Sequence, residues 1–129
     1  MKEPLWLTLD ELLAFHERLI AEFGGTAGVR DEGSLESALG KPKNLFTCSK
    51  PTMFELAASY AFGIVKNHPF IDGNKRTGFM AAYTFLGKHQ WELGATEADA
   101  AVQTLRLAAN DCLQADYAAW LKRNCRKAR

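Results

Sequence analysis

Residues 53–88, MFELAASYAFGIVKNHPFIDGNKRTGFMAAYTFLGK, hold the two most apolar helical segments of the chain. Thr52 and Glu55 form a capping box that opens a helix. From Met53 to Val65 the residues are apolar nearly all round, with Ser59 and Gly63 among the few interruptions. A helix without a polar face belongs at the centre of a core. Residues 74 to 89 repeat the character, since Phe79, Met80, Ala81, Ala82, Tyr83, Phe85 and Leu86 leave no clean polar side. Two central helices are therefore predicted, joined by a short turn.

The flanks supply the layers around that pair. Thr8 and Glu11 make a further capping box, and Leu9, Leu12, Leu13, His16, Leu19, Ile20 and Phe23 recur at helical spacing until Gly24-Gly25. GGTAGVRDEG is loop, Ser34 to Leu39 reads as a short helix stopped by Gly40 and Pro42, and a loop with Lys41, Lys43 and Lys50 follows. Gln90 to Leu93 reads as a short extended piece. Thr96 caps a helix with Ala98, Ala101, Val102, Leu105, Ala108, Ala109 and Cys112 on one side, and a last helix from about Asp116 buries Tyr117, Trp120 and Leu121. The composition agrees, because 19 Ala and 16 Leu stand against three Val and three Ile. The expectation is an all-α fold of about six helices in a single domain spanning residues 1–129.

Composition also limits function. The chain carries 16 Lys+Arg and 15 Asp+Glu, net +1, which leaves no broad basic surface for nucleic acid. Five of the cations (Lys122, Arg123, Arg126, Lys127 and Arg129) crowd the tail, so residues 1 to 121 hold 11 basic and 15 acidic groups, net −4. The tail reads as a complement to the last helix dipole that then frays. No apolar run approaches a membrane span and the amino end lacks a secretory core, so the expected location is cytoplasmic, with no membrane partner. Cys48, Cys112 and Cys125 are too scattered for a disulfide framework or a zinc site.

The turn between the central helices, NHPFIDGNKRTG at residues 67–78, carries the chemistry. His68-Pro69 ends the first helix, because the residue before proline is pushed out of the α region. Gly73-Asn74 has the freedom to present successive N–H groups as a nest at the next helix start. Lys75 and Arg76 place two cations in that first turn, against the dipole, where a helix built for stability carries Asp or Glu. The placement makes sense if a phosphate sits there and both side chains fold over it. Asp72 is suited to hold magnesium against phosphates, and His68 to act as general base on a hydroxyl. Base, metal ligand and anion cradle together are the parts of phosphoryl or nucleotidyl transfer.

HPFIDGNKRTG resembles the Fic motif, HPFx[D/E]GN[G/K]R, at every defined position, and the surrounding helices with DEGSLESALGKP (31–42) look like the death-on-curing (Doc) branch. The likeness covers essentially the whole chain. Fic enzymes that transfer AMP usually carry glycine where this chain has Lys75, and a second arginine where it has Phe79. Both departures point to Doc. The resemblance then implies a toxin of a toxin-antitoxin pair, a kinase that uses ATP and Mg2+ to phosphorylate a threonine of elongation factor Tu and stop translation. It implies that His68 deprotonates the target hydroxyl, Asp72 holds magnesium, and Gly73, Asn74, Lys75 and Arg76 bind phosphates, while Phe70 anchors the loop. The sequence also lacks the internal inhibitory pattern of other Fic proteins, so inhibition falls to an antitoxin whose tail folds as a helix into a groove.

Blander readings stand beside these. His68 also suits a plain helix end, Asp72 a helix cap, and Lys75-Arg76 a solvated pair. Arg30 and Asp31 lie in the loop that corresponds to the Fic flap, where contact with nucleotide or target competes with a local cap and a solvated arginine. His16 reads as a core histidine satisfied by a hydrogen bond, His89 as a cap on a helix end, and Trp6 and Trp91 as packing residues. The alternative functions are AMP transfer to a protein hydroxyl and a catalytically silent Fic-like binding module. Nucleic-acid cleavage lacks an electrostatic footprint.

Overall fold

The computed structural model describes residues 2–128. Six helices follow in order: α1 (Leu9–Phe23), α2 (Glu32–Cys48), α3 (Met53–Asn67), α4 (Asn74–Lys88), α5 (Glu97–Ala108) and α6 (Gln114–Arg123). Two three-residue strands, β1 (Trp91–Leu93) and β2 (Cys125–Lys127), pair antiparallel with Leu93 opposite Cys125. None of the described helices is long and apolar enough to cross a membrane.

Helix α3 is the axis of the molecule, as its sequence predicts: Leu56, Ala57, Ala58, Tyr60, Ala61 and Ile64 are all fully buried. Helices α2, α4 and α6 pack around it. Small residues set the closest approaches. A Cβ on Gly78 of α4 would lie 3.2 Å from the Ala61 carbonyl oxygen, and one on Gly63 would lie 3.2 Å from Ala38 Cα of α2. Both predicted capping boxes are present, with Thr8 and Thr52 hydroxyls accepting from Glu11 and Glu55 N–H and the glutamates accepting from the cap N–H. Glu11 also reaches Lys88 at 2.8 Å, tying α1 to the end of α4. Burial pushes the Glu11 carboxyl up, but Lys88 and Thr8 outweigh it and hold the group below its usual range.

The roles expected of Trp6, Trp91 and His89 hold. Trp6 lies against Phe46 and Phe85, and Trp91 against Phe54. His89 ends α4, its Nε2 accepting from Leu5 N–H at 2.9 Å, which leaves the proton on Nδ1 for the Phe85 carbonyl at 2.8 Å. The cysteines are free. Burial raises the Cys112 thiol and pushes Cys125 up to about 11, while Cys48 is exposed.

Four expectations are corrected. The helix read as Ser34 to Leu39 runs instead from Glu32 through Gly40 and Pro42 to Cys48, so Lys41 and Lys43 are helical rather than in a loop. Burial of Leu35, Ala38 and Pro42 outweighs the local breakers, since packing overrides propensity. Helix α5 buries Ala100, Thr104 and Leu107, and leaves Val102 and Leu105 more than half exposed. An alanine-rich helix is apolar on several sides, so its stripe is a poor guide to the buried face. As far as residue 128 the tail does not fray after α6, because Cys125–Lys127 forms β2, with Lys127 over the Trp91 ring at 4.8 Å; Arg129 lies outside the described residues. Finally, α6 starts at Gln114, two residues before Asp116, whose carboxylate accepts from Leu113 N–H.

Candidate active site

The site grows from the way α3 stops. Pro69 bars His68 from continuing the helix. Rather than becoming extended, His68 turns left-handed, with φ 49 and ψ 54, and its N–H still bonds the Ile64 carbonyl at 3.2 Å. A residue other than glycine is uncommon in this region, though histidine enters it more readily than most, and Gln90 and Asn110 also do so among the described residues. The imidazole is exposed, and Asn74 Nδ2 stands 3.4 Å from its Nδ1.

Beyond Pro69 the chain dives into the core at Phe70, which is 1 % exposed. Asn74 pins it there, because its Oδ1 accepts from Phe70 N–H at 3.0 Å and its Nδ2 donates to the Phe70 carbonyl at 2.9 Å. The phenyl ring stacks on His16 of α1 at 3.8 Å between centroids, with the planes 7° apart. His16 Nε2 reaches the Asp72 carbonyl at 2.8 Å. The core histidine expected from sequence is thus satisfied by the motif loop itself. A flap from residues 24 to 31 runs antiparallel to the loop, with Val29 bridging Phe70 and Ile71 N–H bonding the Gly28 carbonyl at 3.1 Å.

Helix α4 begins on Gly73, left-handed at φ 76, with no side-chain cap and no acidic residue in its first turn. Helices α1, α2, α3 and α5 each begin instead on a side chain that accepts from the first turn. The first-turn N–H groups thus lack a capping side chain, and Lys75 and Arg76, both exposed, stand in that turn against the helix dipole. Arg76 is not free in solution, as its guanidinium lies over the Phe23 ring at 4.6 Å.

Asp72 sits at the rim, with Oδ1 accepting from Gly73 N–H at 2.8 Å and Oδ2 from Thr26 N–H at 3.3 Å. It joins flap to motif. A Cβ on Gly25 would lie 2.7 Å from its Oδ2, so glycine is needed for the flap to come this close. No cluster of three or more His, Cys, Asp or Glu suited to a metal occurs among the described residues. A lone carboxylate beside an anion cradle is nevertheless the donor set on which Mg2+ binds when phosphates supply further oxygens.

The structure thus gathers His68, Phe70, Asp72, Gly73, Asn74, Lys75 and Arg76 into one loop and helix start, and gives Asn74 a part that its residue type alone does not reveal. Asn74→Asp keeps the size but loses both N–H groups, leaving the Phe70 carbonyl unpaired. The expected cost is about 1–3 kcal/mol by urea denaturation, whereas a purely ligand-binding asparagine shows no such loss without nucleotide. Sequence reading missed His16, Gly25 and Phe23 as supports of this site, since each acts through a contact far along the chain.

The model of the Fic/DOC family matches residues 6–86, which include α1 to α3, the flap, the motif loop and most of α4. The chain is 33% identical over 81 residues to "Protein kinase doc" of Escherichia phage P1, a match covering 62% of this chain and 64% of that protein. It is 39% identical over 66 residues to "Toxin Doc" of Mycolicibacterium smegmatis, covering 50% of this chain and 51% of that protein. The chain spans less than two thirds of the length of either relative.

Proposed function

The chain belongs to the Fic/Doc family, and from that membership we propose that it is a Doc-type toxin, a transferase that moves the γ-phosphate of ATP to a threonine of elongation factor Tu. The observation that carries this reading is the pairing of an exposed, left-handed His68 with an uncapped, cation-bearing helix start one short loop away. His68 accepts the hydroxyl proton of the target, which increases the nucleophilicity of that oxygen. The first-turn N–H groups of α4, with Lys75 and Arg76, bind and orient the phosphates. Asp72 is the residue to hold Mg2+, which neutralises charge on the phosphates when bound. The names borne by the two relatives support a toxin, and one of them a kinase.

Two further features favour phosphate transfer over AMP transfer. Lys75 takes the place of the glycine usual in AMP-transferring relatives, and Phe79, where they carry a second arginine, packs against Tyr83 and Trp120. A cognate antitoxin that neutralises the toxin completes the proposal, and the cytoplasm, where the elongation factor resides, is its place of action. The deciding experiment incubates the purified protein with ATP, magnesium and elongation factor Tu and reads the intact mass of the target. A phosphate increment supports the kinase, an AMP increment replaces it with adenylyl transfer, and an unmodified target removes the proposed substrate.

A further inference from the structure

We infer that Arg30 is a positioning residue, one that holds His68 in its left-handed conformation by collecting the carbonyls freed where α3 ends. A helix leaves its last carbonyls without partners, and Pro69 supplies no N–H to mend the loss. Arg30 takes three in succession. Its Nη2 donates to the Asn67 carbonyl at 2.8 Å, its Nε to the His68 carbonyl at 2.6 Å, and its backbone N–H to the Pro69 carbonyl at 2.7 Å. The guanidinium fork is planar and rigid, so holding two successive carbonyls at once fixes the relative orientation of the two peptides that carry them. The Asn67 carbonyl belongs to the peptide before the His68 Cα and the His68 carbonyl to the peptide after it, so the torsions between the two clamped groups are the φ and ψ of His68.

Neighbouring contacts show that the fork has a firm mount. Asp31, the next residue, caps α2 through Ser34 and donates its own N–H to the Pro69 carbonyl at 3.1 Å. Asn67 Nδ2 donates to the Ser34 carbonyl at 3.0 Å, closing a ring between the start of α2 and the end of α3. The cation also complements the negative end of the α3 dipole. Arg30 is exposed and makes none of its hydrogen bonds to the residues of the α4 cradle, so its contacts bear on the turn that carries His68.

This inference rests on the reading of His68 as the base, and its test separates the two. Arg30→Ala removes both side-chain bonds while keeping the N–H to Pro69 that attaches the flap. NMR of the full chain reads the His68 backbone through its Cα and Cβ shifts and its HN–Hα coupling, and the transfer assay reads kcat and KM. In Arg30→Ala, His68 is expected to leave the left-handed signature, kcat to fall roughly 10- to 100-fold as for a misplaced catalytic group, and KM for ATP to stay nearly constant. Dilute guanidinium ion is expected to restore part of both readouts. Arg30→Lys keeps the charge but not the fork, and is expected to fold and to recover only a fraction of kcat. An unchanged His68 signature in Arg30→Ala overturns the inference whatever the activity, as does a changed signature with wild-type kcat or an Arg30→Lys variant equal to wild type. Absence of transfer in the wild-type protein, with the signature lost in Arg30→Ala, overturns the kinase reading and leaves the clamp standing.

Discussion

Replacing His68 with glycine is expected to make the protein more stable and to remove most of the proposed transfer activity. The left-handed conformation costs an ordinary residue roughly 1–2 kcal/mol because Cβ crowds the following carbonyl. Glycine escapes that cost and is the usual occupant of the left-handed position at a helix end. His68 occupies that position in α3, with φ 49. The greater freedom of glycine in the unfolded chain takes back part of the gain, so the expected net is about 1 kcal/mol in urea denaturation. Loss of a general base lowers kcat by roughly 10²- to 10⁴-fold. His68→Asn tolerates the same backbone, carries no base and is expected to match the glycine variant in activity. Stability that fails to rise denies strain at the helix end, and transfer that survives in both variants denies His68 its role.

The opposed signs matter more than either magnitude. A histidine kept for packing or capping loses stability when removed, whereas this one stands exposed with strained backbone and a single long side-chain contact to Asn74. A sparsely populated conformation held in place by surrounding contacts is the setting in which such strain accompanies function, and the two variants test whether it does so at His68. The contacts that hold it are Arg30 on one side of the peptide and the buried Phe70 on the other.

How far the sequence reveals this arrangement depends on whether each signal is local. The boxes Thr8–Glu11 and Thr52–Glu55 are local chemistry, and α1 and α3 begin where those residues place them. The all-round apolar character of α3 is equally direct, because nothing but a core accepts it. Pro42 is a breaker only until the buried face of α2 is counted against it. Strand β2 exists through its partner 34 residues earlier, as in Arg126 opposite Glu92, and three residues alone carry no such information. The site divides the same way. The motif residues are contiguous and legible, and so is the conflict of Lys75 and Arg76 with the helix dipole. Their supports are not, because His16 lies 56 residues from the Asp72 carbonyl it bonds and Arg30 lies 38 from His68.

Phe70→Ala is expected to cost about 3–5 kcal/mol, the range for truncating a buried phenylalanine. That is a large share of the roughly 5–15 kcal/mol that holds a domain of this size together. The ring is 1 % exposed and covers one face of the His16 imidazole at 3.8 Å. Its removal opens a cavity beneath the motif and frees His16 to tilt away from the Asp72 carbonyl it holds at 2.8 Å. Because Asn74 grips the Phe70 backbone rather than its ring, the two hydrogen bonds survive in the variant and hold the loop path while its floor is missing. The damage is therefore expected first as local opening: faster amide exchange at residues 68–74 under native conditions, ahead of α3. In urea, the midpoint is expected to fall at an unchanged m-value, since the surface exposed on unfolding is nearly the same. Phe70→Leu keeps most of the volume and is expected to lose about 1 kcal/mol, with slower loop opening than the alanine variant. A cost below about 1 kcal/mol for Phe70→Ala contradicts the anchoring of the loop by this ring, because truncating a well-packed buried phenylalanine leaves a larger deficit.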